Sequence, residues 1–300
     1  MFRGNPFGHY DISIYKTLLK SNHFIFLYFI MQDYLLQLSK ELQQRNYSPR
    51  TVEIYTNCFS YFLKWINGDV SKISREKIVD FVLYLQKQGR APKSINLYKD
   101  VIKFFCSQIL HSAFAVDIKL SKEPKKLPIV LSRMELDRMF TVPQNIKHKL
   151  LLMVAYGAGM RISEVKNLRM QDIDFGSLTI HIKWAKWQKD RISILSEKIR
   201  DELERYCSLK KSDEYVFESE RGGMLHDRTL AHIFQHAKEK AGITKPATFH
   251  SLRHSFATHL LENWTDIRYV QVLLWHNNIR TTQMYIQVTN PILKNIVSPL

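Results

Sequence analysis

The sequence predicts a mainly α-helical protein with a small β-hairpin, an α+β arrangement in two domains. Three observations predict it. Residues 32–112 carry helical periods of apolar residues, punctuated by capping residues, prolines and a glycine. The second half continues with helical stretches and is interrupted once by two short, alternating, β-branched segments. Between the halves, "DIKLSKEPKKLP" (117–128) is polar, Pro-containing and Lys-rich, the composition of a linker.

The elements follow in order. "DYLLQLSKELQQR" places Leu35, Leu38 and Leu42 on one helix face. "YSPRTVEIYTNCFSYFLKWI" opens with Ser48 as N-cap and Pro49 at the first helical position, where a missing N–H costs nothing. "SREKIVDFVLYLQKQG" starts at Ser74 and stops at Gly89. "APKSINLYKDVIKFFCSQIL" is a fourth helix, and four helices with short loops make a bundle over 32–112. Its exposed side is predicted to include Arg50, Lys93, Lys99 and Lys103. In the second half, "HKLLLMVAYGAGM" and "RISEVKNL" read as consecutive helices. "SLTIHIK" and "DRISIL" read as a hairpin around the six-residue turn "WAKWQK". Helices follow over 196–210, 227–241, 249–262, 266–274 and 279–287. "NPILKNIVSPL" (290–300) is apolar on one side and stands alone. The predicted layout is an extension (1–30), a helical domain (32–112), the linker, a second domain (129–289) and a tail (290–300).

A hydrophobic content of 45% over 300 residues supports real cores and excludes a disordered chain. Lys plus Arg number 44 against 28 Asp plus Glu, a formal charge of +16, which points to a polyanion such as nucleic acid as partner. Cys58, Cys106 and Cys207 lie far apart with no CxxC, which points to a reducing compartment and away from a disulfide framework or zinc knuckle. "NHFIFLYFI" (22–30) is shorter than the roughly 20 residues of a membrane span and lacks a small-residue cleavage site. Met31 follows it directly, where the amphipathic pattern begins, so residues 1–30 read as an upstream extension and Met31 as the start.

Three clusters carry chemistry. "GAGMRISE" holds Arg161 and Glu164; "FHSLRHSFATHLLEN" holds His250, Arg253 and His254; "LLWHNNIRTTQMY" holds His276 and Tyr285. His250 and Arg253 are three apart and share a helix face, on which His276 and Tyr285 can converge across a turn. His250 and His254, four apart, imitate a metal pair. The sequence sets no Glu beside His250 as in H-E-x-x-H and offers no third ligand, so no metal is expected.

The ordered set R-x-S-E, then H-x-x-R, then L-x-H with a Tyr nine residues later, resembles the tyrosine recombinase (phage integrase) family, particularly its short Xer-like members, over about residues 32–297. The resemblance implies a site-specific DNA recombinase that cleaves and rejoins duplex DNA through a 3′-phosphotyrosine, without metal, ATP or other cofactor. By position it makes Arg161 the first active-site arginine, Lys186 the active-site lysine, and His250 and Arg253 the H-x-x-R pair. His276 becomes the second histidine, Tyr285 the nucleophile, and Glu164 an acid supporting Arg161 or its helix. It also implies that the helical domain and the catalytic domain clamp duplex DNA, with Arg50, Lys93, Lys99 and the linker's Lys125 and Lys126 meeting phosphates. Four protomers would assemble on two recombination sites, with a possible partner recombinase, and residues 290–300 would dock on a neighbour. The setting implied is the cytoplasm, at the nucleoid when bound, with no membrane.

The chemistry of these residue types suits such roles. A phenol of pKa about 10 is a weak nucleophile at neutral pH and needs a base nearby, a part that His250 can fill. Two guanidiniums can grip the non-bridging oxygens of a phosphodiester with forked hydrogen bonds, in place of a metal. A histidine at position 276 adds a donor, and a lysine on a turn suits protonation of the leaving 5′ oxygen. Two other readings stay open: a DNA-binding relic of the same fold with weakened catalysis, and a type IB topoisomerase-like enzyme that relaxes supercoils as a monomer.

Trp184, Trp187, Trp264 and Trp275 stand where glycine is expected: two in the hairpin turn, one after "LLEN", and one where the family reads L-L-G-H. A tryptophan in a left-handed conformation costs about 1 kcal/mol or more. The reading offered for all four is UGA codons that the source lineage translates as glycine, written out as tryptophan; genuine tryptophans there would go with the DNA-binding relic of weakened catalysis.

Overall fold

The computed structural model describes residues 23–112, 127–185, 189–275 and 278–289. The chain divides into two compact units, Met1–Lys125 and Lys126–Leu300.

The first unit contains α1 (His23–Gln44), α2 (Pro49–Trp65), a 3₁₀ turn (Val70–Lys72), α3 (Arg75–Lys87) and α4 (Pro92–Gln108). The caps follow the sequence. Ser48 Oγ accepts from Thr51 N at 3.2 Å ahead of Pro49, and Ser74 Oγ accepts from Lys77 N at 3.2 Å. Gly89 sits left-handed just past α3, at φ 68°. α1 begins earlier than the amphipathic pattern predicts, running unbroken through Met31, because nothing in that apolar run breaks a helix. Phe59, Phe62, Phe81 and Phe105 are fully buried, with the Phe59 and Phe105 rings tilted by 30° and their centroids 3.9 Å apart. Each such ring contributes roughly 1.5–3 kcal/mol through burial.

One expected surface residue is corrected here. Lys99 is only 5% exposed, whereas Arg50, Lys93 and Lys103 are exposed. Lys99 falls on the same stripe of α4 as the buried Ile95, Ile102 and Cys106, so the helical period turns it inward.

The second unit contains α5 (Arg133–Thr141), α6 (Ile146–Gly157), α7 (Ile162–Asn167), β1 (Ile173–Asp174), β2 (Thr179–Ala185), β3 (Lys189–Ile194), α8 (Glu197–Cys207), α9 (Asp227–Lys240), α10 (His250–Glu262), α11 (Ile267–Leu274) and α12 (Ile279–Thr289). The sequence reading omits α5, although Ser132 and Glu135 form a full capping box at its start. The strands form one antiparallel sheet in the order β1-β2-β3. β2 reaches Ala185 and β3 starts at Lys189, so the strands take up part of the predicted six-residue turn, with a register shift between Ile182 and Ala185. β3 is inside out. Arg191, Ser193 and Leu195 face inward, while Ile192 is 63% exposed.

Two residues past the end of α6 stands Gly159, which needs to be glycine twice over. Its φ is +58°, and a Cβ there would lie 2.4 Å from the Phe256 ring. Met160 N closes the cap on Ala155 O at 2.9 Å. The same cap recurs after α10, where Thr265 N bonds Leu260 O at 3.0 Å, but the left-handed residue is Trp264, at φ 62° and 77% exposed. Trp275, at φ 51° and ψ 58°, ends α11 likewise. The Trp184 side chain and Trp187 lie outside the described residues, as do Lys125, Lys126, Lys186, His276 and residues 290–300. Among the described residues no helix is long and apolar enough to cross a membrane.

Candidate active site

The site is built around one buried carboxylate. Arg161 is the N-cap of α7 and Glu164 its third residue, so the side chain folds back onto the helix start. Glu164 Oε2 accepts from Arg161 N at 2.8 Å, and Oε1 accepts from Arg161 Nη1 at 2.8 Å. Arg191 arrives from the inward face of β3 and donates from Nη2 to Oε2 at 2.6 Å. Arg253 arrives from α10, with Nη1 3.7 Å from Oε2. Burial alone would raise the Glu164 pKa. Arg191 first, then Arg253 and the Arg161 N–H, outweigh that and hold the carboxyl below its usual range.

Three guanidiniums on one carboxylate leave the cluster short of negative charge. Arg253 shows the imbalance: burial, followed by repulsion from Arg161, pushes its pKa down to about 9, still protonated at neutral pH. The two inner arginines also hold the backbone. Arg253 Nη1 donates to Gly159 O at 2.7 Å and its Nη2 to Leu274 O, while Arg191 Nη1 donates to Leu273 O. Those last two carbonyls end α11, where a positive charge also meets the negative end of the helix dipole. Arg161 keeps 30% of its side chain exposed and faces outward.

α12 brings Tyr285 against α10. The ring is 2% exposed and packs with Phe256, Ala257, Val270 and Leu274. Its hydroxyl lies 3.0 Å from His254 Nδ1. Burial raises the phenol's pKa against the opposing pull of Arg253 and Arg161. His254 is pushed down to about 4 by burial and then by His250 and Arg253, so it is neutral at pH 7. The His250 ring stands edge-on to His254, centroids 4.5 Å apart. His250 itself is lowered by desolvation and by Arg253 and Arg161. Among the described residues no group of three or more His, Cys, Asp or Glu is arranged to hold a metal ion.

The structure therefore brings Arg161, Glu164 and Arg253 together and sets Tyr285 beside the helix of His250 and Arg253. The phenol's partner on that helix is His254 and not His250, because His254 lies one turn further along, level with Tyr285. Sequence reasoning missed Arg191. No local signal marked it: the alternation of "DRISIL" sets Ile192 and Ile194 on the apolar face and Arg191 on the other, whereas the strand buries Arg191 and exposes Ile192. It also missed a cleft of about 810 Å³ at the start of α9, lined by Lys166, His226, Asp227, Arg228, Thr229 and His232.

Comparison with known proteins decides the family. Residues 130–291 match the Phage integrase family, and residues 34–114 match the Phage integrase N-terminal SAM-like domain. The chain belongs to the phage integrase (tyrosine recombinase) family. Among similar proteins, Tyrosine recombinase XerA of Pyrococcus horikoshii is 33% identical over 273 residues, covering 89% of this chain and 93% of the relative. A putative integrase/recombinase, y4qK, of Sinorhizobium fredii is 34% identical over 258 residues, covering 84% and 83%. The crystal structure of XerA recombinase covers 89% of this chain and 100% of its own, at 26% identity and TM-score 0.52. XerH bound to palindromic difH substrate, a post-cleavage complex, shares the fold at 21% identity and TM-score 0.69, covering 87% and 83%. This tyrosine recombinase is an Xer-like, site-specific DNA recombinase, an enzyme of DNA strand cleavage and rejoining.

Proposed function

We propose that Tyr285 attacks the scissile phosphate and that Arg161 and Arg253 hold its non-bridging oxygens, with His276 as a further donor. The observation that carries this is the net positive cluster around Glu164, to which α10 contributes Arg253 while its next residue, His254, meets the Tyr285 hydroxyl. A phosphodiester supplies the missing negative charge in a site where burial strengthens each interaction. His254, neutral and 3.0 Å from the phenol, is placed to accept its proton, with His250 beside it. Lys186, from the hairpin turn, protonates the departing 5′ oxygen. The covalent 3′-phosphotyrosine conserves the bond energy, so rejoining needs no ATP. A phenol 2% exposed and an Arg253 side chain 1% exposed, its terminal nitrogens on Gly159 O and Leu274 O, do not reach a phosphodiester as they stand. Attack therefore requires α12 to shift on DNA binding.

The bundle of the first unit serves as the core-binding domain (32–112), and residues 129–289 form the catalytic domain. Arg50 and Lys93 on the exposed bundle surface, the linker's Lys125 and Lys126, and the cleft with Lys166 and Arg228 meet phosphates. Four protomers act on two recombination sites, with residues 290–300 docking on a neighbour; a second recombinase can fill part of the tetramer. The protein works in the cytoplasm on nucleoid DNA.

The test uses a plasmid with two copies of the duplex sequence that the protein selects from a random pool. Exchange between the copies by wild type and none by Tyr285→Phe is expected, with exchange lost but DNA binding kept on deletion of residues 290–300. Site-independent relaxation of supercoils without exchange points instead to the topoisomerase-like activity, and binding alone to the relic.

A further inference from the structure

We propose that Arg191 is a positioning residue for the cleavage step. It fixes the end of α11 from which the chain passes to His276. The inference rests on the proposed role of His276 as a phosphate donor.

Three observations point to it. The Arg191 side chain is 1% exposed, in a strand whose isoleucines face solvent instead. Placing a charge inside and Ile192 outside is the reverse of what burial favours, so the arginine holds its place for another reason. Its guanidinium is divided between two tasks: Nη2 on Glu164 and Nη1 on the carbonyl of Leu273. Its Nε finds no partner among the described residues, a buried donor left unpaired while the two terminal nitrogens are committed.

The geometry says what the division achieves. Glu164 also holds Arg161, so the carboxylate that orients the outward arginine is the anchor of Arg191 too. Leu273 and Leu274 are consecutive residues, and their carbonyls are taken by Arg191 and Arg253 respectively. Two guanidiniums thus seize adjacent carbonyls at the last turn of α11, immediately before Trp275 and His276. Arg191 also pairs across the sheet with Ile182, in the hairpin whose turn carries Lys186. One side chain therefore ties the hairpin, the Arg161 anchor and the chain leading to His276. Lysine can meet Glu164, but its point charge lacks the planar fork that serves both acceptors at once.

The test compares wild type, Arg191→Lys, His276→Ala and the double variant. Each is scored for urea denaturation midpoint, for binding to a nicked duplex bearing the selected sequence, and for rate of covalent adduct formation per DNA-bound protein. Arg191→Lys is expected to keep the midpoint and the binding while slowing adduct formation by about tenfold to 100-fold, the scale of a misplaced catalytic group. The double variant is expected to be no slower than His276→Ala alone, because both changes remove one function. Normalising to bound protein keeps the rate comparison valid if Arg191→Lys folds less well. A wild-type adduct rate in Arg191→Lys, or losses that multiply in the double variant, overturns the positioning role. An unchanged rate in His276→Ala alone overturns the premise about His276, and that arm separates the two failures.

Discussion

The Tyr285 hydroxyl stands 3.0 Å from His254 Nδ1, inside a pocket that keeps both groups uncharged at neutral pH. Two neighbours with opposed titrations are thereby both held in their neutral forms. The pair also makes folding depend on pH. In the unfolded chain His254 titrates near 6.5, and in the fold near 4. The folded state therefore binds fewer protons between those values, and the pair's contribution is complete above 6.5 and lost as pH falls toward 4. His250 shifts in the same direction. Urea midpoints from pH 7 to 4.5 should fall more steeply for wild type than for His254→Gln; equal slopes would count against the buried neutral histidine.

Glu164 is the counter-charge of three arginines, so Glu164→Gln should be strongly destabilising. Loss of one partner from a buried ion pair typically costs 3–5 kcal/mol, and about that loss is expected in denaturant titration. A change within about 0.5 kcal/mol, the range of ordinary surface substitutions, would show that the cluster does not bear on folding.

Trp264 and Trp275 hold left-handed caps that Gly89, Gly159 and Gly242 fill elsewhere in the chain. Trp264→Gly, at an exposed position, should raise stability by about 1 kcal/mol through relief of αL strain. The gene should carry UGA at positions 184, 187, 264 and 275, and the intact mass of the native protein should show glycine there. UGG codons at all four positions would refute the reassignment.

The bundle's basic residues divide by exposure. Arg50→Ala and Lys93→Ala should each reduce the slope of log affinity against log salt by about 1. Lys99→Ala should leave the slope unchanged and alter the denaturation midpoint, because Lys99 is inside. A reduced salt slope in Lys99→Ala would place it on the DNA after all.

Much of this was legible in the sequence, for physical reasons. Ser48 with Pro49, Ser74 and Gly89 mark helix ends by local hydrogen bonding and backbone freedom, which need no tertiary context. Arg161 and Glu164 were legible because three residues bring them together within one turn. Lys99 is hidden from a reading by residue type, because its charge suggests the surface while its helical stripe, shared with Ile95, Ile102 and Cys106, turns it inward. Arg191 was invisible because its partners, Glu164 and Leu273, are distant in sequence and its strand faces the opposite way to its hydrophobicity. The Tyr285 partner depended on how α12 lies along α10, a one-turn choice between His250 and His254 that only packing decides.

The proposed recombination stands on one event, the covalent joining of Tyr285 to DNA. The direct measurement traps the protein on a nicked duplex of its selected sequence, digests the adduct and locates the modified residue by mass spectrometry. The expected result is a 3′-phosphonucleotide on the peptide containing Tyr285, absent in Tyr285→Phe. A nucleotide on any other residue, or no adduct from protein that binds the duplex, would contradict it.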